Sequence, residues 1–257
     1  MTTHSPSPVR LEKAATDTGF DLPGNAAGSW MVFASSQAPL RVWLTASSGD
    51  GVVVALSMLN VAHAMGGYGK PAQMPLPEGA VAARAMPSVE DVHRFLRRAF
   101  GLARTLPDEL LHTFKKETAA LPVTTEAERL VVVRVGQNIF RGGLLDYWER
   151  KCAITGLGQT ELLRASHIKP WAACATDAER LDVFNGLLLA PHLDALFDGG
   201  FITVADDGAV VVSAVLKEED RVLLGLKPEM RVEKLADGHR VYLNCHRETV
   251  FRKAPDA

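Results

Sequence analysis

The stretch LLRASHIKPWAACATDAERLDVFNGLLLAPHLDALFDGG, Leu162 to Gly200, decides how the second half of this 257-residue chain is read. Leu162 to Ile168 is a strand-like run, ACATDAER a loop, and NGLLLAP a second strand-like run opened by Asn185-Gly186. Pro191 stands where a first helical residue is favoured and Gly199-Gly200 where a helix must stop, which predicts a helix of about two turns from Pro191 to Asp198. FITVADDGAVVVS then predicts a hairpin about Asp207-Gly208. The order is strand, strand, short helix, hairpin.

On that helix Leu193, Leu196 and Phe197 share one face, and Pro191, Asp194 and Asp198 lie on another. Like charges at i,i+4 cost roughly 0.2–0.5 kcal/mol, and an acid in the last turn opposes the macrodipole by a further ~0.3–1 kcal/mol. A divalent cation reverses the sign of both effects; solvation alone makes an exposed acid pair tolerable. The neighbours favour the cation. His167 ends the first strand-like run and Asn185 opens the second, so one imidazole, one amide and two carboxylates reach adjacent elements.

With acids nine and thirteen residues beyond Asn185, this arrangement resembles the HNH endonuclease family and its ββα-metal fold. YWERKCAITGL, LLRASHIKPWA, NGLLLAPHLDALFDGGFI and the late YLNCHRETVF extend the likeness from about Gly136 to Phe251 and look like the branch found in bacterial restriction-type proteins. The resemblance implies that His167 is the general base that activates water, a task suited to a group titrating near neutrality. It implies that Asn185 holds the loop carrying that base, and that Asp194 and Asp198 ligate one divalent cation. Carboxylate oxygens suit Mg²⁺ or Mn²⁺.

One position departs from the family pattern. Ser166 stands where many members carry a metal-binding Asp or His. Either two protein ligands are completed by water and phosphate, or another group such as His192 joins the shell. Ser166 is also the feature that favours an alternative reading, a DNA-binding module with a catalytically degenerate HNH core; the intact set of His167, Asn185, Asp194 and Asp198 argues against it. RNA is a further possible substrate. Arg150, Lys151, Arg164 and Lys169 flank the site and supply local positive charge for phosphates, although each taken alone reads as a solvated surface residue. Trp171 reads as a packing residue of its loop.

A formal net charge of −2 gives no bulk cationic field, so DNA contact must come from such local clusters. Three widely spaced cysteines argue against a disulfide framework and for a reducing, cytoplasmic setting. Thr155 replaces the second cysteine of a Cys-x-x-Cys after Cys152, which speaks against structural zinc. Cys174 shows no partner, and Cys245 reads as a core thiol beside a surface His246. No stretch is long and apolar enough to span a bilayer.

Upstream, residues 1–20 are expected to be a flexible N-terminus, and 21–87 a β-containing domain with a role in DNA recognition or dimerisation. The stretch 88–135 is expected to be a helical connector, and 136–257 the nuclease domain. In the connector Ser88 and Asp91 mark one helix start, PDELLHTFKKETAAL begins a second at Pro107, and Thr125 with Glu128 opens a third, broken near Gly142-Gly143. The whole is an α+β protein. Because one ββα-metal site cuts one strand per engagement, a double-strand break calls for two protomers, as in a homodimer, or for two successive nicks.

Overall fold

The computed structural model describes residues 6–106 and 109–253; the expected helix start at Pro107 lies outside them. The chain is α+β and divides into two compact units between Glu109 and Leu110.

The first unit opens with α1 (Pro8–Thr16), followed by β1 (Leu22–Pro23), β2 (Met31–Ala34), β3 (Val42–Ala46) and β4 (Val52–Leu56). Then come α2 (Leu59–Ala64), β5 (Lys70–Pro71), β6 (Ala82–Met86) and α3 (Val89–Thr105). The strands form one antiparallel sheet in the order β1-β2-β3-β4-β6-β5. Every residue of β4 is buried, because both faces of the sheet are covered. Trp30, Trp43, Val53, Ala55 and Ala83 pack together on one face.

Two expectations change here. Residues 8–16 form a helix, with Pro8 at its first turn and Leu11, Ala14 and Ala15 buried. The polar sequence hid a narrow stripe of small apolar residues that suffices to dock it. The stretch expected as a connector divides between the two units. Ser88 caps α3 by accepting a hydrogen bond from the Asp91 amide, and Val92, Phe95, Leu96, Ala99 and Leu102 bury the helix in the first unit's core.

The second unit holds α4 (Glu109–Thr118), α5 (Glu126–Tyr147), β7 (Arg164–His167), α6 (Asp177–Leu181) and β8 (Gly186–Leu189). It continues with α7 (Pro191–Asp198), the β9 (Ile202–Val204) and β10 (Val210–Val212) hairpin, α8 (Glu218–Leu223) and α9 (Asp237–Thr249). Strands β7 and β8 pair antiparallel, with Ser166 opposite Leu187 and His167 opposite Gly186. Thus the strand, strand, helix, hairpin order is present with the helix bounds read from Pro191 and Gly199. Gly200 takes φ +72°, and a Cβ there would lie 2.1 Å from the Val250 carbonyl oxygen, so only glycine closes this turn.

Helix α5 starts at a full capping box between Thr125 and Glu128 and runs unbroken through Gly142 and Gly143. A Cβ on Gly143 would meet the Leu110 side chain at 2.3 Å. The glycine admits a neighbouring helix instead of ending its own. Gly136 does the same for Trp171, whose ring would stand 2.9 Å from an added Cβ.

At Gly186 an added Cβ would meet the Phe140 ring at 2.6 Å and both Leu144 methyls at 2.7 and 2.8 Å. Gly186→Ala is therefore expected to destabilise the second unit by about 1–3 kcal/mol, as overpacked cores do. Urea unfolding measures it, and a shift below about 0.5 kcal/mol would show that these side chains move aside without strain.

Candidate active site

The β7–β8 pair carries one end of the site and α7 the other. Ser166 is buried, and its hydroxyl donates to Asp198 Oδ1 at 3.1 Å, linking strand to helix. The same hydroxyl lies beside Asp194. Burial pushes the Asp194 carboxyl above the ordinary carboxylate range, against the Ser166 hydroxyl and the Arg164 charge, which lower it. For Asp198 burial and the charge of Asp194 both act upward, and Ser166 downward. Arg164 offsets this at Asp194, yet both carboxyls stay raised, the condition in which a bound cation stabilises.

His167 is held on three sides. Its ring stacks on Phe140, with centroids 3.8 Å apart and planes at 17°, and meets Trp171 edge-on at 5.3 Å. Nε2 lies 2.9 Å from the Arg180 carbonyl oxygen. A carbonyl only accepts, so Nε2 carries the proton and Nδ1 keeps the lone pair. Burial lowers the imidazole below its ordinary pKa, while the Arg180 carbonyl bond raises it less. The ring is neutral at pH 7, with one basic nitrogen.

Asn185 is fully buried and ties the intervening loop into one piece. Its Oδ1 accepts from the Lys169 amide at 2.7 Å. Its Nδ2 donates to the Glu179 carbonyl at 3.0 Å, the Lys169 carbonyl at 3.3 Å and Cys174 Sγ at 3.3 Å. Ile168 donates its amide to the Asn185 carbonyl, so the residue after the base is fixed as well.

The remaining sequence candidates divide. Arg164 is exposed at the start of β7 and is felt by Asp194. Lys169 is engaged in an ion pair with Glu179 at 2.8 Å, so its charge is already matched. Arg150 and Lys151 are exposed in the turn after α5; Lys151 lines a cleft of about 340 Å³ with Arg231 and Lys234. His192 is exposed in the first turn of α7. Among the described residues no three His, Cys, Asp or Glu side chains gather to hold a metal ion.

Two cysteine readings are corrected. Cys174 is buried, with its thiol near the Lys169 and Pro170 carbonyls and accepting from Asn185. At the other pair the roles are reversed. His246 is the buried residue, stacked on Phe197 at 3.9 Å and bonded to Thr203 and the Phe197 carbonyl, whereas Cys245 is partly exposed. Cys152 accepts from the Thr155 and Ala190 amides, so its sulfur organises a turn against the start of α7.

Sequence reasoning passed over Phe140, Arg180 and Asp182. Phe140 was visible only as an apolar residue on α5. Arg180 contributes through its backbone carbonyl, which leaves no side-chain signature; Asp182 was visible as a polar residue two before a turn.

No curated protein matches the chain. Residues 152–205 match the family model for HNH endonuclease, a span that contains β7, β8, α7 and all four residues on which the expectation was built. No described helix is long and apolar enough to cross a membrane. The match thus falls on the strands and helix that carry His167, Asn185, Asp194 and Asp198, and over residues 152–205 the chain is similar to the HNH endonuclease family.

Proposed function

We propose that this protein is a metal-dependent DNA endonuclease of the restriction or defence type, with His167 as general base. The observation that carries this reading is the His167 bond to Arg180: the carbonyl holds the Nε2 proton and leaves Nδ1 as a neutral acceptor, on the residue next to Ser166, which bonds Asp198. Asp194 and Asp198 offer hard oxygen donors, and the charge of Asp194 raises Asp198, which fits Mg²⁺ or Mn²⁺. When bound, such a cation polarises the scissile phosphate and stabilises the leaving oxygen.

The chain's own residues do the rest. His167 Nδ1 takes the proton of an attacking water, and its Nε2–H stays with Arg180, so the imidazolium that forms keeps its orientation. Asn185 keeps Ile168 and Lys169 at fixed distance from β8, which prevents the base from swinging away. Ser166 orients the Asp198 carboxylate. Arg164, exposed next to the acids, attracts the DNA backbone.

The test is incubation of modified and unmodified supercoiled plasmid with the protein and a series of divalent metals. Wild type nicks or cuts in Mg²⁺ or Mn²⁺, and Asp194→Asn/Asp198→Asn does not. In the same preparations metal raises the melting temperature of wild type by mass action but leaves the double variant unmoved. The metal-free double variant is slightly more stable than wild type, by about 0.2–0.5 kcal/mol, because the i,i+4 repulsion is gone. Equal metal response in both proteins removes these acids from the site. Metal-independent DNA binding without any cleavage would instead favour the degenerate binding module. A fragment of residues 110–257 in the same assay assigns the first unit's part, which we place in substrate recognition or dimer contacts.

A further inference from the structure

We propose that Tyr242 is a positioning residue for His167, acting through Asp182 on the short segment that holds the histidine's proton. The inference deepens the nuclease reading and rests on it for the role of His167.

Asp182 occupies a junction. It ends α6 and caps the 3-10 turn Val183–Asn185. Its Oδ1 accepts from the Phe184 amide at 2.9 Å, and its carbonyl accepts from the Asn185 amide at 2.9 Å. Two and three residues before it stand the two carbonyls on which the site depends. Arg180 receives the His167 Nε2 proton, and Glu179 receives Asn185 Nδ2. A shift of Asp182 therefore moves the acceptor of the base and the anchor of the asparagine together.

Tyr242 fixes that junction from outside. Its hydroxyl, on α9 and sixty residues later in the chain, donates to Asp182 Oδ2 at 2.9 Å. Both carboxylate oxygens are thus committed, one to the turn and one to the helix. Burial and the Asp182 charge raise the Tyr242 hydroxyl well above its ordinary value, so it remains a donor at any pH the protein meets. The hydroxyl is not what docks α9. Phe184 packs against Gly238, where an added Cβ would stand 2.6 Å from the ring, and against His239 at 5.3 Å. Removing the hydroxyl should leave the helix in place and loosen only the junction.

The experiment compares full-length Tyr242→Phe, Asp182→Asn and Asp182→Ala with wild type. In ¹⁵N spectra of the histidine ring at one fixed neutral pH, wild-type His167 is expected as the Nε2–H tautomer. Tyr242→Phe should populate the Nδ1–H form to a tenth or more. It should also speed exchange of the Phe184 and Lys169 amides about tenfold. Its kcat on plasmid DNA should fall about tenfold, with KM and DNA affinity within twofold. Asp182→Asn can still cap Phe184 and bond the tyrosine oxygen with the donor sense reversed, so it should stay within threefold of wild type. Asp182→Ala should match or exceed the Tyr242→Phe defect.

An unchanged tautomer together with unchanged amide exchange in Tyr242→Phe overturns the inference, whatever happens to cleavage. So does a fall in kcat matched by an equal loss of DNA affinity, the mark of a purely structural effect. Were wild type to cut no nucleic acid while the tautomer shifts as described, the coupling would stand and the nuclease reading would fail.

Discussion

His167→Ala is expected to lower the rate of metal-dependent cleavage by about 10²–10⁴-fold, the usual contribution of a positioned general base. DNA binding should survive, because the exposed Arg164 remains. The structure adds a complication to this simple expectation. The His167 ring stacks on Phe140, and its Nε2 satisfies the Arg180 carbonyl, so truncation leaves a partial cavity and an acceptor without its donor. A stability loss of about 1–3 kcal/mol accompanies such changes. His167→Gln separates the two effects. Its amide can donate to the Arg180 carbonyl while offering no basic nitrogen, so it should recover part of the lost stability and none of the lost rate. Single-turnover cleavage in Mg²⁺ or Mn²⁺, with binding measured without metal, reads both. Cleavage within about tenfold of wild type in both variants would assign the base to another group.

The legible part of this protein was punctuation. Pro191, Gly199 and Asp207-Gly208 bound α7 and the following hairpin, and the structure keeps those limits. Capping signals were equally readable at Ser88 and Thr125, since a cap involves residues only three apart. What failed was whatever depended on a distant surface. Gly142-Gly143 reads as a break, yet the cost of helical glycine is offset by Leu110 packing against Gly143. Cys245 and His246 are adjacent on α9, about 100° apart around it, and which one faces inward depends on Thr203 and Phe197 forty-odd residues away. The same holds in the site. His167, Asn185, Asp194 and Asp198 were recognisable as a spaced set, but the Arg180 carbonyl that fixes the tautomer has no residue type of its own.

Acid should destabilise the second unit through His239, a residue outside the candidate site. Its side chain is fully buried among Tyr147, Trp148 and Phe184, with ring centroids at 5.6, 5.5 and 5.3 Å. Nδ1 lies 3.2 Å from both the amide and the carbonyl of Ala236 at the start of α9, while Nε2 has no hydrogen-bond partner among the described residues. A charged imidazolium there would lie in an aromatic enclosure without a counter-ion. Burial accordingly lowers its pKa from 6.5 to about 4, the Ala236 carbonyl opposing that shift. Above pH 6.5 the group is neutral in both folded and unfolded chains, and its contribution to stability is fully present. As pH falls from 6.5 towards 4 the unfolded chain binds the proton first, and that contribution is lost. At about 1.4 kcal/mol per pKa unit the loss approaches about 3 kcal/mol. His239→Phe fills the same enclosure with a ring that cannot titrate but gives up the hydrogen bond with Ala236, at about 1 kcal/mol. The variant should therefore be the less stable protein at pH 7 and the more stable one at pH 4, because the lost hydrogen bond costs less than burying the proton's charge. Hydrogen-exchange protection of the Leu243 amide, in the buried middle of α9, measures this opening without requiring both units to unfold together. His167 and His246 also titrate below their ordinary value, but they are common to both proteins and cancel in the comparison. If protection falls equally with acid in wild type and His239→Phe, the enclosure tolerates the imidazolium, and the acid sensitivity of this unit arises elsewhere.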